Sequence, residues 1–153
     1  MDPSDPKDLH RMVFSAFASG EWHRIEPFVS GEHAVHQSLV PPVTLRGWAP
    51  LLGVLKFIAH GLKDFELTVE AQIATADRVV SRFSGRAKNL GPFGIVPPSG
   101  KHVAVTGMLE SRFERSPAGG IVAVESWLEV NALEIALWTN AATWQDPVRH
   151  VMS

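Results

Sequence analysis

At 153 residues the chain suits a single domain around one hydrophobic core. An apolar share of 45% and a net charge of -2 fit an ordinary globular protein and give no electrostatic reason to expect nucleic acid or an anionic membrane as partner. The absence of cysteine and tyrosine excludes disulfides, thiolate metal sites, cysteine nucleophiles and phenolic general acids. In chain order, Ser4 or Asp5 can cap a first helix with Pro6 in its first turn; Leu9, Met12, Val13, Ala16 and Phe17 recur on one face, and Gly20 ends it. Glu21 to Phe28 predicts a second short helix, broken near Pro27, and His33 to Leu39 predicts a strand. Pro41-Pro42 forces an extended turn. From Arg46 to Leu62, Leu51, Leu52, Leu55 and Ile58 repeat at helical spacing. After Asp64 the apolar period becomes two, which predicts strands at Phe65 to Glu70, Arg78 to Asn89, Lys101 to Arg115 and Ile121 to Asn131.

Helices followed by antiparallel strands make an α+β layout. On the third of these strands Val103, Val105, Leu109 and Phe113 oppose His102, Thr106, Glu110, Arg112 and Glu114. On the last, Val122, Val124, Leu128 and Val130 are expected opposite Glu125, Trp127 and Glu129. Alternation sorts the residues into two faces without saying which is concave. His33 and His36 are three apart on a strand, so they point to opposite faces, and no metal is expected. Gly91 and Gly94 lack the lysine and helix of a phosphate loop, and no serine sits on a nucleophile elbow. The acidic N-terminus has no apolar signal-peptide core and no apolar run spans a bilayer, so a cytoplasmic protein without a membrane partner is expected.

An ordered set of residues from His36 to Trp138 resembles the SnoaL-like polyketide cyclases of the nuclear-transport-factor-2-like superfamily. His36 matches a family histidine, followed by Arg46-Gly47 at the head of the helix and Lys63-Asp64-Phe65 where the family has Pro-Asp-Leu. Gly91, Gly94 and Pro97-Pro98-Ser99-Gly100 match its hinge; Gly120-Ile121 and Glu125-Ser126-Trp127 match Gly-Lys-Ile and Glu-His-Trp. The resemblance implies one domain over residues 1–153, with 141–153 as lid or frayed tail. Its fold is a cone-shaped curved antiparallel sheet wrapped around N-terminal helices, in the nuclear-transport-factor-2-like or cystatin-like manner. Three family positions differ: histidines become Asn89 and Ser126, and the proposed general acid/base, an aspartate, becomes Asn131. An amide cannot exchange a proton at neutral pH.

The resemblance therefore implies a cofactor-independent cyclase or isomerase of secondary metabolism, acting on a polyketide- or terpenoid-like substrate by acid–base catalysis in an apolar pocket. Glu110, Arg112 and His36 are the expected catalytic groups, with Glu110 and Arg112 sharing one strand face. Trp127, Asn131, Glu125, Asn89 and Met108 are the expected substrate contacts. Two alternatives stand beside this. One is epoxide opening of the limonene-epoxide-hydrolase type, with Glu125 or Glu129 as second carboxylate; the other is a small-molecule binding protein that has lost catalysis. Relatives pair through the outer sheet face, which implies a homodimer.

Overall fold

The computed structural model describes residues 4–37, 43–92 and 97–131. The Pro41-Pro42 turn, the strand end beyond Gln37, hinge residues 93–96, a helix from Ala132 and the tail 141–153 lie outside them.

Helix α1 (Pro6–Ser19) starts where the Asp5 carboxylate accepts the Lys7 N–H at 2.9 Å, with Pro6 in the first turn. It stops at Gly20, whose φ of 75° lets its N–H reach the Ala16 carbonyl at 2.7 Å. The predicted second helix is instead two 3₁₀ turns, Trp22–Arg24 and Glu26–Phe28, parted at Ile25. Pro27 has no N–H to continue the first turn. Strand β1 (Val29–Gln37) begins earlier than predicted, and a short strand β2 (Thr44–Arg46) precedes helix α2 (Trp48–Gly61). Strands β3 (Leu62–Ala74), β4 (Arg78–Asn89), β5 (His102–Arg115) and β6 (Ile121–Val130) follow.

Among the described residues the strands form one six-stranded sheet in the order β2-β1-β6-β5-β4-β3. All neighbours are antiparallel except β1 and β6, which run parallel. Register shifts bend it. Asp64, at φ 53°, lies in one shift of β3 between Lys63 and Glu66, and a second follows between Val69 and Ala71. On β6, Glu125 pairs with Arg112 and Ala123 with Phe113, leaving Val124 as an extra residue. That bulge reverses the predicted alternation before Glu125 and leaves it as expected beyond. Ile121 and Ala123 share the buried face with Ser126, Leu128 and Val130, so Val122 and Val124 do not.

The buried face packs on the helices. Phe14 of α1 meets Phe83 of β4 at 4.8 Å between ring centroids, and Phe17 meets Trp22 at 4.7 Å and Phe65 at 6.0 Å. Leu55 and Ile58 of α2 close the second side. Asn89 ties the end of β4 to its surroundings. Its amide donates to the carbonyls of Gly61 at 3.2 Å and Gly91 at 2.8 Å, and its side-chain oxygen accepts the Ser99 N–H at 2.7 Å.

Candidate active site

The helices and the buried sheet face line a cavity of about 130 Å³ that is partly open to the surface. Its walls are almost wholly apolar: Leu9, Val13 and Phe14 from α1, Leu51, Leu55 and Ile58 from α2, and alternate residues of the strands such as Phe83, Val105, Leu109 and Leu128. An engineered apolar cavity of about 150 Å³ takes up benzene, so this volume suits a single ring or a short chain.

Four polar side chains break the apolar wall: His10, His33, Ser111 and Ser126. They are joined. His10 Nδ1 lies 2.8 Å from Ser81 Oγ, and its Nε2 lies 2.9 Å from Ser111 Oγ. Ser111 Oγ is 2.8 Å from Ser126 Oγ, which is 2.9 Å from His33 Nε2. At the other end the Gln72 amide donates to Ser81 Oγ at 2.9 Å and to the Lys7 carbonyl at 3.1 Å. The chain crosses the sheet because Ser81, Ser111 and Ser126 occupy inward slots facing one another on three adjacent strands. Ser81 sits beside Leu109 in the β4–β5 register, and Ser111 pairs directly with Ser126.

Burial sets the charge state of this chain. His10 is 1% exposed and its pKa falls to about 3. His33 is 4% exposed and burial lowers its pKa to about 4, against an opposing pull from Glu125. Both rings are neutral at physiological pH, each holding one N–H. One nitrogen of His33, Nδ1, is buried and finds no hydrogen-bond partner among the described residues.

The residues expected to be catalytic converge elsewhere. Glu110, Arg112 and His36 lie on the sheet face turned away from the helices, and none lines the cavity. His36 Nε2 is 2.8 Å from the Glu125 carboxylate, its Nδ1 is 3.1 Å from Thr44 Oγ1, and its ring stacks on Trp127 at 5.4 Å. Arg112 reaches Glu125 at 3.8 Å and Glu114 at 3.5 Å, Arg78 reaches Glu110 at 3.7 Å, and the Arg78 guanidinium lies 5.6 Å from the centre of Trp127. The hydrogen bond from His36 holds the Glu125 carboxyl below its ordinary pKa, with further help from the charges on His36, Arg112 and Arg78. The physical reason for this placement is solvation. Inward parity on β5 belongs to Leu109, Ser111 and Phe113, and a charged set on the opposite parity stays in water.

The expected substrate contacts divide likewise. Glu125 and Trp127 belong to that outer cluster, and Met108 lines a shallow outer hollow with Glu70 and Arg82. Asn131 prolongs the pairing to β5. Its side chain accepts the Thr106 N–H at 3.0 Å and donates to the Ala104 carbonyl at 3.0 Å. Asn89 is consumed by its backbone contacts. None of the five lines the cavity. The signal overlooked in the sequence is a polar residue in an apolar slot: Ser81 between Val79 and Phe83, Ser111 between Leu109 and Phe113, and His10 beside Leu9 on the buried helix stripe. Among the described residues no group of three or more histidine, aspartate or glutamate side chains is placed to hold a metal, and no helix is long and apolar enough to cross a membrane.

The sequence profile of the SnoaL-like polyketide cyclases matches residues 7–137. No curated protein matches the chain in sequence. Among solved structures, AclR from Streptomyces galilaeus, a candidate hydroxylase, superposes with a TM-score of 0.76 at 21% identity, over 95% of this chain and 86% of its own. IdmH from Streptomyces antibioticus, a candidate polyketide cyclase, gives 0.70 at 26% identity, over 86% of this chain and 95% of its own. TsrD from Streptomyces laurentii gives 0.72 at 19%, over 93% and 98%.

Proposed function

The chain belongs to the SnoaL-like polyketide cyclase family, and on that premise we propose that it is a cofactor-independent cyclase or isomerase acting on a small, apolar, carbonyl-bearing substrate inside the helix-facing cavity. IdmH, described as a candidate polyketide cyclase, supports the reaction class. The observation that carries the reading is His33: a neutral imidazole lining an apolar cavity, with one nitrogen tied to Ser126 and the other without a partner among the described residues. The apolar walls take up the substrate skeleton and exclude water. His33 then donates to the carbonyl oxygen, where charge develops as the α-proton passes to a solvent base at the cavity mouth and an enolate forms. A fixed hydrogen bond in a dry site is worth more there than in water.

A binding protein without catalysis is the second reading. It is favoured by one feature: among the described residues lining the cavity there is no carboxylate to act as a strong base. Cyclohexanone in D₂O separates the two. An enzyme accelerates exchange of its α-protons over buffer, and His33→Leu abolishes the acceleration. A binding protein takes up cyclohexanone with no acceleration. Neither uptake nor exchange refutes both. A homodimer formed through the outer sheet face is part of the same proposal, and a monomeric mass by light scattering at micromolar concentration refutes it.

A further inference from the structure

Resting on that reading of the cavity, we propose that the buried chain Gln72–Ser81–His10–Ser111–Ser126 is a positioning device that holds His33 as a one-way hydrogen-bond donor, so that the ligand it receives must present an acceptor oxygen, as an uncharged ketone or aldehyde does.

The direction follows from counting protons. The Lys7 carbonyl can only accept, so it takes one hydrogen of the Gln72 amide, and the second goes to Ser81. Five contacts then link Gln72 to His33, and each needs one hydrogen. If Ser81 donates to His10 Nδ1, His10 carries its proton on Nε2 and donates to Ser111. Ser111 then donates to Ser126, and Ser126 to His33 Nε2; were Ser126 to donate to Ser111 instead, the Ser111 hydroxyl proton and the His33 Nδ1 lone pair would both go unmatched. Every hydrogen within the chain is used once, and the proton of His33 must sit on Nδ1.

The reverse order runs from His33 Nε2–H to Ser126, on to Ser111, to His10 Nε2, and from His10 Nδ1–H to Ser81. Gln72 Oε1 has no partner in either order and so does not choose between them; beyond it, the reverse order leaves two groups unmatched, the Ser81 hydroxyl proton and the His33 Nδ1 lone pair. Ser81 is fully buried and does not line the cavity, so no ligand can relieve it. In the forward order the one other unmatched group is the Nδ1–H of His33, which belongs to a cavity-lining residue. A ligand with an acceptor oxygen there leaves no hydrogen of the chain unmatched; a ligand offering only a donor does so in neither order. The selectivity of the pocket is thus set at the surface of α1, by a backbone carbonyl at the far end of the relay from the ligand.

The test is the ¹⁵N spectrum of the histidine-labelled full chain, which distinguishes a protonated ring nitrogen from a bare one. His33 is expected as the Nδ1–H tautomer and His10 as Nε2–H. Removing the nearest anchor with Ser126→Ala, or the remote one with Ser81→Ala, is expected to give a mixture of tautomers at His33; a merely structural role for Ser81 does not move that signal. If a variant fails to fold, the wild-type spectrum alone decides, because a bare Nδ1 on His33 overturns the proposal. Ligand selectivity is read as a ratio. Cyclohexanone should lose about five- to tenfold more affinity on His33→Leu than its hydrocarbon isostere methylenecyclohexane does. Equal losses overturn the acceptor rule. A wild-type Nδ1–H tautomer without accelerated exchange of cyclohexanone upholds the relay and removes the catalytic reading. Accelerated exchange with a bare Nδ1 does the opposite.

Discussion

Acid should unfold this protein sooner than its modest charge suggests. His10 and His33 have folded pKa values of about 3 and about 4, both below the ordinary 6.5 that they regain on unfolding. The unfolded chain therefore binds more protons below pH 6.5, and stability falls as pH drops from there toward the folded values. At pH 5 both native rings are still neutral, so the loss depends on the unfolded pKa and amounts to about 2 kcal/mol per histidine, or about 4 kcal/mol together, relative to pH 7.5. That is a large part of the 5–15 kcal/mol typical of a domain. The carboxylates of Glu66 and Glu125, held below the usual range chiefly by hydrogen bonds from Arg86 and His36, add their own loss mainly below this window. Urea unfolding followed by fluorescence at pH 7.5 and pH 5.0, with an unchanged slope against urea, measures the difference. His10→Gln or His33→Gln should each halve the pH-dependent part to about 2 kcal/mol, whatever either does to stability at pH 7.5. A wild-type loss under about 1 kcal/mol, or a full loss retained in both variants, refutes the burial of these rings as neutral groups.

Asn89→Ala should lower stability by about 3 kcal/mol, since its hydrogen bonds to Gly61, Gly91 and Ser99 are lost in a fully buried site. A melting temperature within about 2 °C of wild type counts against that role. Gly107→Ala should cost about 2 kcal/mol or more, because its Cβ would lie 2.2 Å from the Glu129 carbonyl oxygen and 2.6 Å from Phe83 Cζ; thermal melting reads it directly. Glu110→Gln and Arg112→Ala should leave cyclohexanone affinity within about twofold of wild type, as their side chains stand across the sheet from the cavity. A tenfold loss in either would put the site on the other face.

The elements were legible where local chemistry decides them. Asp5, Pro6 and Gly20 bound α1 as expected, and Arg78 to Asn89 is β4 to the residue. The helix read from Arg46 to Leu62 is trimmed at both ends, since Gly47 at φ 81° precedes Trp48 and Leu62 is already extended. Strand β2 was missed because Thr44–Arg46 is too short to show an alternation and is held by pairing with Ala34, Val35 and His36. The parallel pairing of β1 with β6 is likewise invisible in the sequence, being a contact between residues some ninety apart.

The placement of the charged residues differs from the expectation for a more instructive reason. Alternation correctly put Glu110 and Arg112 on one face and Leu109 and Phe113 on the other. The family resemblance then implies that the charged face lines the pocket. Desolvation argues the reverse. An ion pair gains little from a cavity that strips both partners of water, and the outer cluster keeps its charges hydrated and mutually paired. What an apolar cavity tolerates is a neutral polar group with a hydrogen-bond partner, and three serines and two histidines linked in apolar slots are such a set. Ser126 stands where a family histidine was expected and looked like lost chemistry. In the folded chain it is the link between Ser111 and His33, and the histidine that lines the cavity is the one three residues before His36, on the opposite face of the same strand.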